Sequence, residues 1–179
     1  LVNTMCGDSG PCLSPDGLTL YFCDVPFDLA PDGYGGQDLW MSTRAATHAL
    51  WEQRVNMGPT VNTSFDDGTP TISSDGLTLY FSSTRPGGSG SWDLWITTRP
   101  SPSGPWGTPT NLGPTINSSY SETFPSISAD GLELYFSEWD VIRPDGHGDG
   151  DIWVARRKAE EDPWGTPVNL GPIVNTEFR

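Results

Sequence analysis

The chain has 179 residues, 35% of them apolar, enough for one hydrophobic core and with no break into unlike parts. Its formal charge of −14 repels phosphate backbones and anionic lipid, so nucleic-acid binding and docking on acidic membranes are not expected, and cations or basic partners are favoured. No apolar run approaches the roughly 20 residues of a membrane-spanning helix, and membrane insertion is not expected. Gly 21 and Pro 17 predict many turns, while Trp 8, Phe 7 and Tyr 5 supply bulk to bury.

The N-terminus, Leu1 to Gly10, has neither the basic flank nor the apolar core of a signal peptide, and a start at Leu1 rather than Met suggests a processed or truncated product. Cys6, Cys12 and Cys23 show no Cys-x-x-Cys spacing and no neighbouring His. They are expected to be small buried residues; a disulfide from Cys6 to Cys12 or Cys23 is the alternative.

Self-similarity dominates the rest of the chain. Val2-Asn3-Thr4 returns as Val61-Asn62-Thr63, Ile116-Asn117-Ser118 and Val174-Asn175-Thr176, in steps of 59, 55 and 58 residues. Each period runs through the same signals. First comes a Ser-x-Asp-Gly turn, with aspartates Asp16, Asp75 and Asp130, then an apolar run, Leu18 to Phe22, Leu77 to Phe81 and Leu132 to Phe136. An acid-Leu/Ile-Trp strand follows at Asp38-Leu39-Trp40, Asp93-Leu94-Trp95 and Asp151-Ile152-Trp153, closed by Arg44, Arg99 and Arg157. A last tryptophan, Trp51, Trp106 or Trp164, leads to Asn56-Met57-Gly58-Pro59, Asn111-Leu112-Gly113-Pro114 or Asn169-Leu170-Gly171-Pro172.

Asp-Gly between apolar runs is a tight-hairpin signal, because those residues tolerate positive φ. No segment sustains a helical period; Arg156 to Asp162 is the best exception, and Pro163 stops it. The pattern predicts an all-β chain, a single domain over 1–179, made of three four-stranded propeller blades at about 2–60, 61–115 and 116–173.

Ser14-Pro15-Asp16-Gly17, Leu20-Tyr21-Phe22 and the Asp-Leu-Trp strands resemble the TolB-type, WD40-like propeller family over essentially the whole chain. The resemblance implies a propeller scaffold and a periplasmic or secreted setting, and it is weak for function. Sialidase boxes place a residue between Asp and Gly, which Asp16-Gly17 does not. Three blades alone would bend too sharply to close a ring of the usual 4 to 8 or so. A homodimer, three blades plus three in a six-bladed ring, is favoured over a fragment of a longer propeller.

In such a blade the start of the innermost strand and the loop joining strands two and three share one end, the expected functional face. Asp8, Asp67 and Glu122 stand ahead of the innermost strands and would form a carboxylate ring at the channel mouth. That ring could hold a cation or a basic or sugar ligand, or the acids could cap backbone N–H groups or pair with Arg44, Arg99 or Arg157. The strand-two to strand-three loops differ between repeats, the usual place for specific function. In the third, Asp145, Asp149 and Asp151 alternate with glycine around His147, as a calcium site or as an ordinary turn. No cofactor is expected other than calcium at such a site. Trp92, Trp139 and Asp140 break the repeat and could stack on or bond to a sugar or peptide.

No nucleophile elbow or Ser, His and Asp set can be assembled. The leading expectation is a non-enzymatic scaffold that binds a protein, peptide or glycan on an acidic channel face. The alternative is a carbohydrate-active hydrolase or lyase using channel-mouth carboxylates such as Glu138 and Asp140; a structural remnant without a ligand stands third.

Overall fold

The computed structural model describes residues 7–24, 32–139, 146–148 and 150–175. Among the described residues, twelve strands form three separate four-stranded antiparallel sheets, each a simple meander. The first blade holds β1 (Asp8–Leu13), β2 (Thr19–Asp24), β3 (Leu39–Thr43) and β4 (Val55–Asn56). The second holds β5 (Asp67–Ile72), β6 (Thr78–Ser83), β7 (Asp93–Thr98) and β8 (Thr110–Asn111). The third holds β9 (Ser121–Ile127), β10 (Glu133–Trp139), β11 (Ile152–Arg156) and β12 (Val168–Asn169). No helix occurs among the described residues.

Each Ser-x-Asp-Gly signal makes the hairpin between the first two strands. Ser14 Oγ donates to Asp16 Oδ1 at 2.6 Å, Leu18 N–H donates to the same oxygen at 2.9 Å, and Thr19 N–H donates to Ser14 Oγ at 2.8 Å. The same set recurs at Ser73-Asp75 and Ser128-Asp130. The repeated arginines serve this end of the blade. Arg44, Arg99 and Arg157 each donate from Nε to the turn glycine carbonyl at 2.8 Å, and each stacks on its blade's last tryptophan at 4.3, 4.4 and 4.3 Å from Cζ to ring centroid. Pairing of these arginines with Asp8, Asp67 or Glu122 is therefore not what the structure has: they close the far end of β3, β7 and β11, away from the acids.

The Asn of the repeated Val-Asn-Thr landmark fastens each chain crossing to the sheet it leaves. Asn62 Oδ1 accepts Leu39 N–H, and its Nδ2 donates to Leu39 O and Asn56 Oδ1, at 2.8–2.9 Å. Asn117 and Asn175 repeat the pattern on Leu94 and Ile152.

The core lies between blades rather than within them, because strand alternation sends residues to the two faces of each sheet in turn. Tyr21, Cys23 and Leu39 of the first blade pack against Val61, Ile72, Leu79, Phe81 and Trp95 of the second. Tyr80 and Leu94 pack likewise against Ile116, Leu134, Phe136, Trp153 and Ala155 of the third. Cys12 and Cys23 are free thiols, Cys23 buried with its pKa raised by that burial; Cys6 lies outside the described residues.

Candidate functional site

The three innermost strands β1, β5 and β9 lie side by side and carry the same irregularity. The register of each against its neighbour shifts once, at Gly10-Pro11, Thr69-Pro70 and Phe124-Pro125, so two residues oppose one. The residue before each proline sits at positive φ: Gly10 at 59°, Thr69 at 49° and Phe124 at 51°. For β-branched Thr69 and bulky Phe124 this is a strained conformation. On the first blade the position is glycine, which takes the positive φ without strain, and a Cβ there would sit tightly against Thr69 Cα at 3.3 Å. The bulges line a concavity of about 240 Å³, walled by the three prolines, Cys12, Thr71 and Ser126, with Phe124 at its edge and 51% exposed. These bulge positions escaped the sequence reading; an X-Pro pair at a fixed place in every innermost strand was the available signal.

The acids stand at the starts of these strands. Asp67 is fully buried: Oδ2 accepts Thr63 N–H and Oγ1–H, and Oδ1 accepts Ser83 Oγ–H and an Arg85 N–H at 2.5 Å. Arg85 in turn lies over the rings of Phe81 and Trp95, 5.0 and 5.1 Å from their centroids. Asp8 pairs with Arg54 at 3.0 Å, and Arg54 stacks on Trp40 at 3.9 Å. Glu122, also fully buried, accepts Ser118 N–H on Oε2 at 3.1 Å and Ser118 Oγ–H on Oε1. In two blades, then, the acid holds a guanidinium over the Asp-Leu-Trp tryptophan, and in two it caps the turn that precedes its strand.

Second carboxylates lie directly across the strand pairs. Asp24 is the partner of Asp8 and Glu138 the partner of Glu122, whereas Ser83 faces Asp67. Asp24 and Asp38 are buried, and that burial raises the pKa of each above its ordinary value. Asp24 Oδ1 accepts Asp38 N–H at 2.7 Å.

The loops between strands two and three share a skeleton that their differing side chains conceal. Asp38, Asp93 and Asp151 each accept a backbone N–H from four residues earlier, from Tyr34, Ser89 and His147. The glycines are spacing devices: a Cβ on Gly35 would run into the Ser64 backbone, and one on Gly90 into the Tyr120 carbonyl, so these loops lie flat on the next blade's lead-in. The carbonyls of Gln37 and Trp92 accept Asp67 N–H at 2.6 Å and Glu122 N–H at 2.9 Å, stitching neighbouring blades. His147 and Asp151 occupy the ordinary loop positions, and Asp151 Oδ2 is shared by His147 N–H and Asn169 Nδ2. Asp140, Asp145 and Asp149 lie outside the described residues, as does the Trp139 side chain at the end of β10. No cluster of three or more His, Cys, Asp or Glu able to hold a metal ion occurs among the described residues.

Rings gather at this end of the blades. Tyr34 is 46% and Phe65 42% exposed, and Trp92 and Tyr120 are half-buried. Phe65 and Tyr120 each stand two residues before the strand-starting acid, a regularity visible in the sequence that the repeat reading passed over.

Comparisons with known proteins bear on the fold. No family model matches the chain, and a search of curated proteins finds no match. Solved structures do match. A TolB from Agrobacterium tumefaciens superposes with a TM-score of 0.57 at 18% identity, over 89% of this chain and 47% of that one. A thermostable family-43 glycoside hydrolase gives 0.57 at 16%, over 94% and 54%. A family 117 glycoside hydrolase from Zobellia galactanivorans gives 0.53 at 14%, over 97% and 58%. This chain therefore spans about half the length of these three structures. Three four-stranded blades in sequence, with these structural neighbours, have the β-propeller fold that TolB shares.

Proposed function

We propose that this chain is a non-enzymatic propeller scaffold that binds a protein, peptide or glycan at the end where its innermost strands begin. The observation that carries this reading is the exposure of Tyr34 and Phe65 at that end of an acidic chain, and of Phe124 on the strained bulge of the neighbouring innermost strand. Exposed rings stack on sugar faces, prolines and cationic side chains, and a net charge of −14 attracts the basic members of that set. Asp67 and Glu122 support the reading indirectly: their oxygens are engaged inside the protein, so the ring faces, rather than a carboxylate ring, are what a ligand would meet. In this reading the propeller is closed by a second chain, three blades plus three, and its setting is periplasmic or secreted.

One observation favours the second reading, a carbohydrate-active hydrolase. Asp24 has a raised pKa and a second acid, Asp8, directly opposite, an arrangement acid-base chemistry uses. Incubating the chain with immobilised basic peptides and neutral oligosaccharides separates the two. Retention without new reducing ends supports the scaffold, whereas release of reducing ends, lost in Asp24→Asn, supports the hydrolase.

A further inference from the structure

The seam between the first two blades opens, at the end away from the strand-starting acids, into a cleft of about 500 Å³. Tyr21, Met41 and Met57 of the first blade line it on one side, and Trp106 and Arg99 of the second on the other. Its rim is exposed, at Thr43, Thr60 and Ser103, and its floor is buried, at Tyr21. Both walls belong to this chain, so the cleft does not depend on what adjoins the outer faces of the first and third blades.

The second seam has the same frame with a different filling. Met41 lies opposite Tyr21 in the β2–β3 ladder as Ile96 lies opposite Tyr80 in β6–β7. Met57 N–H donates to Leu39 O as Leu112 N–H donates to Leu94 O. Ile96 and Leu112 pack with Trp164 against the core of that seam. The first seam thus holds two unbranched thioethers where the second holds two branched hydrocarbons. Methionine adapts its shape to an occupant, and its sulfur packs favourably against aromatic rings; a β-branched side chain is stiff.

At the floor of the cleft the Tyr21 ring meets Trp106 edge-on, centroids 6.2 Å apart. The Tyr21 hydroxyl is buried and makes no hydrogen bond of ordinary length and angle. Burial raises its pKa, and the Arg99 guanidinium beside it opposes that rise. Arg99 is committed elsewhere: its Nε donates to Gly76 O at 2.8 Å, and its Cζ lies over Trp106 at 4.4 Å from the ring centroid. No carboxylate lines the cleft, so a cation finds no counter-charge there, and a chain of net charge −14 repels a free anion. What remains is an uncharged ring with an acceptor for the Tyr21 O–H, in a volume ordinary for a ligand pocket.

We propose that this cleft binds a small uncharged aromatic molecule bearing a carbonyl group, with its ring between Met41, Met57 and Trp106 and its carbonyl accepting the Tyr21 O–H. The methionine side chains yield to admit the ring as far as the buried hydroxyl. The site lies at the opposite end of the blades from Tyr34 and Phe65 and is independent of the function proposed above.

Benzamide is the probe, titrated into the 179-residue chain with isotope-labelled methionine and isoleucine methyl groups. Methyl NMR is expected to show saturable shifts at Met41 and Met57 while Ile96, at the second seam, stays in place. Saturation-transfer NMR on the benzamide gives the dissociation constants of the variants. Tyr21→Phe keeps the ring and is expected to weaken binding about 2- to 10-fold, the loss of one hydrogen bond. Met41→Ile combined with Met57→Leu gives the first seam the filling of the second and is expected to weaken binding at least about threefold. Circular dichroism confirms that each variant is folded; should the double variant unfold, Tyr21→Phe carries the test. No saturable shift at the two methionines, or an equal shift at Ile96, overturns the site. Binding that Tyr21→Phe leaves unchanged overturns the role of the hydroxyl.

Discussion

Asp67 holds Arg85 against the faces of Phe81 and Trp95, so one buried carboxylate positions a cation on two core rings at once. Four donors converge on that carboxylate, and Arg85 also donates to Val61 O at 2.6 Å, tying the lead-in turn to the blade. The pair joins the start of β5 to the segment just after β6, two places the hairpin alone would let splay.

Asp67→Ala leaves Arg85 buried without its counter-charge and Thr63 without its cap. Loss of one partner of a buried pair costs about 3 to 5 kcal/mol. Urea denaturation should show that loss, and a cycle with Arg85→Met should show the double variant to be less destabilised than the two single effects added together. Additive effects would mean that the two side chains act independently.

The landmark asparagines give a second measurable cost. Asn62→Ala removes the partners of Leu39 N–H and Leu39 O in a buried seam. Each orphaned buried group costs about 1 to 3 kcal/mol. The chemical-denaturation midpoint should fall accordingly, and Asn117→Ala should reproduce the effect through Leu94.

Blade number, hairpin turns and strand order were legible in the sequence because they depend on local residues at fixed spacing. The Ser-x-Asp-Gly turn is complete within six residues, Ser14 to Thr19, and its hydrogen bonds follow from its letters. The partners of the strand-starting acids were not legible. Arg85 lies 18 residues from Asp67 and Arg54 46 from Asp8, and neither belongs to the repeated arginine position. The repeated arginines looked like the natural counter-ions until strand direction placed them at the opposite end. The Tyr21–Trp106 contact spans 85 residues and exists only because consecutive blades stack face to face.

Asp24 makes a pH prediction. Burial raises its folded pKa above the unfolded 3.8, so the folded state binds more protons between those values and its stability falls as pH rises through them. Asp24→Asn keeps the Oδ1 acceptor for Asp38 N–H and removes the buried charge. The variant should be more stable than wild type near pH 7, with the gain shrinking as pH approaches 3.8. Denaturant midpoints across pH 4 to 8 or so check this. A gain that does not change with pH would mean that charge is not the cause.

Phe124 separates stability from function. Phe124→Gly relieves a positive-φ backbone at 51° and removes a half-exposed ring. Release of that strain is worth about 1 kcal/mol, so thermal melting should show the variant at least as stable as wild type. A clear loss of stability would mean that the ring is part of the core.

Ligand binding by exposed rings beside the innermost strands is the proposed function. Its most direct test is retention of the wild-type chain and of folded Phe124→Gly and Phe65→Ala variants on an array of basic peptides and neutral oligosaccharides. Wild type should be retained by a definable ligand class, and both variants should lose most of that retention. Retention that survives both substitutions, or a wild type that no member of the array retains, would contradict it.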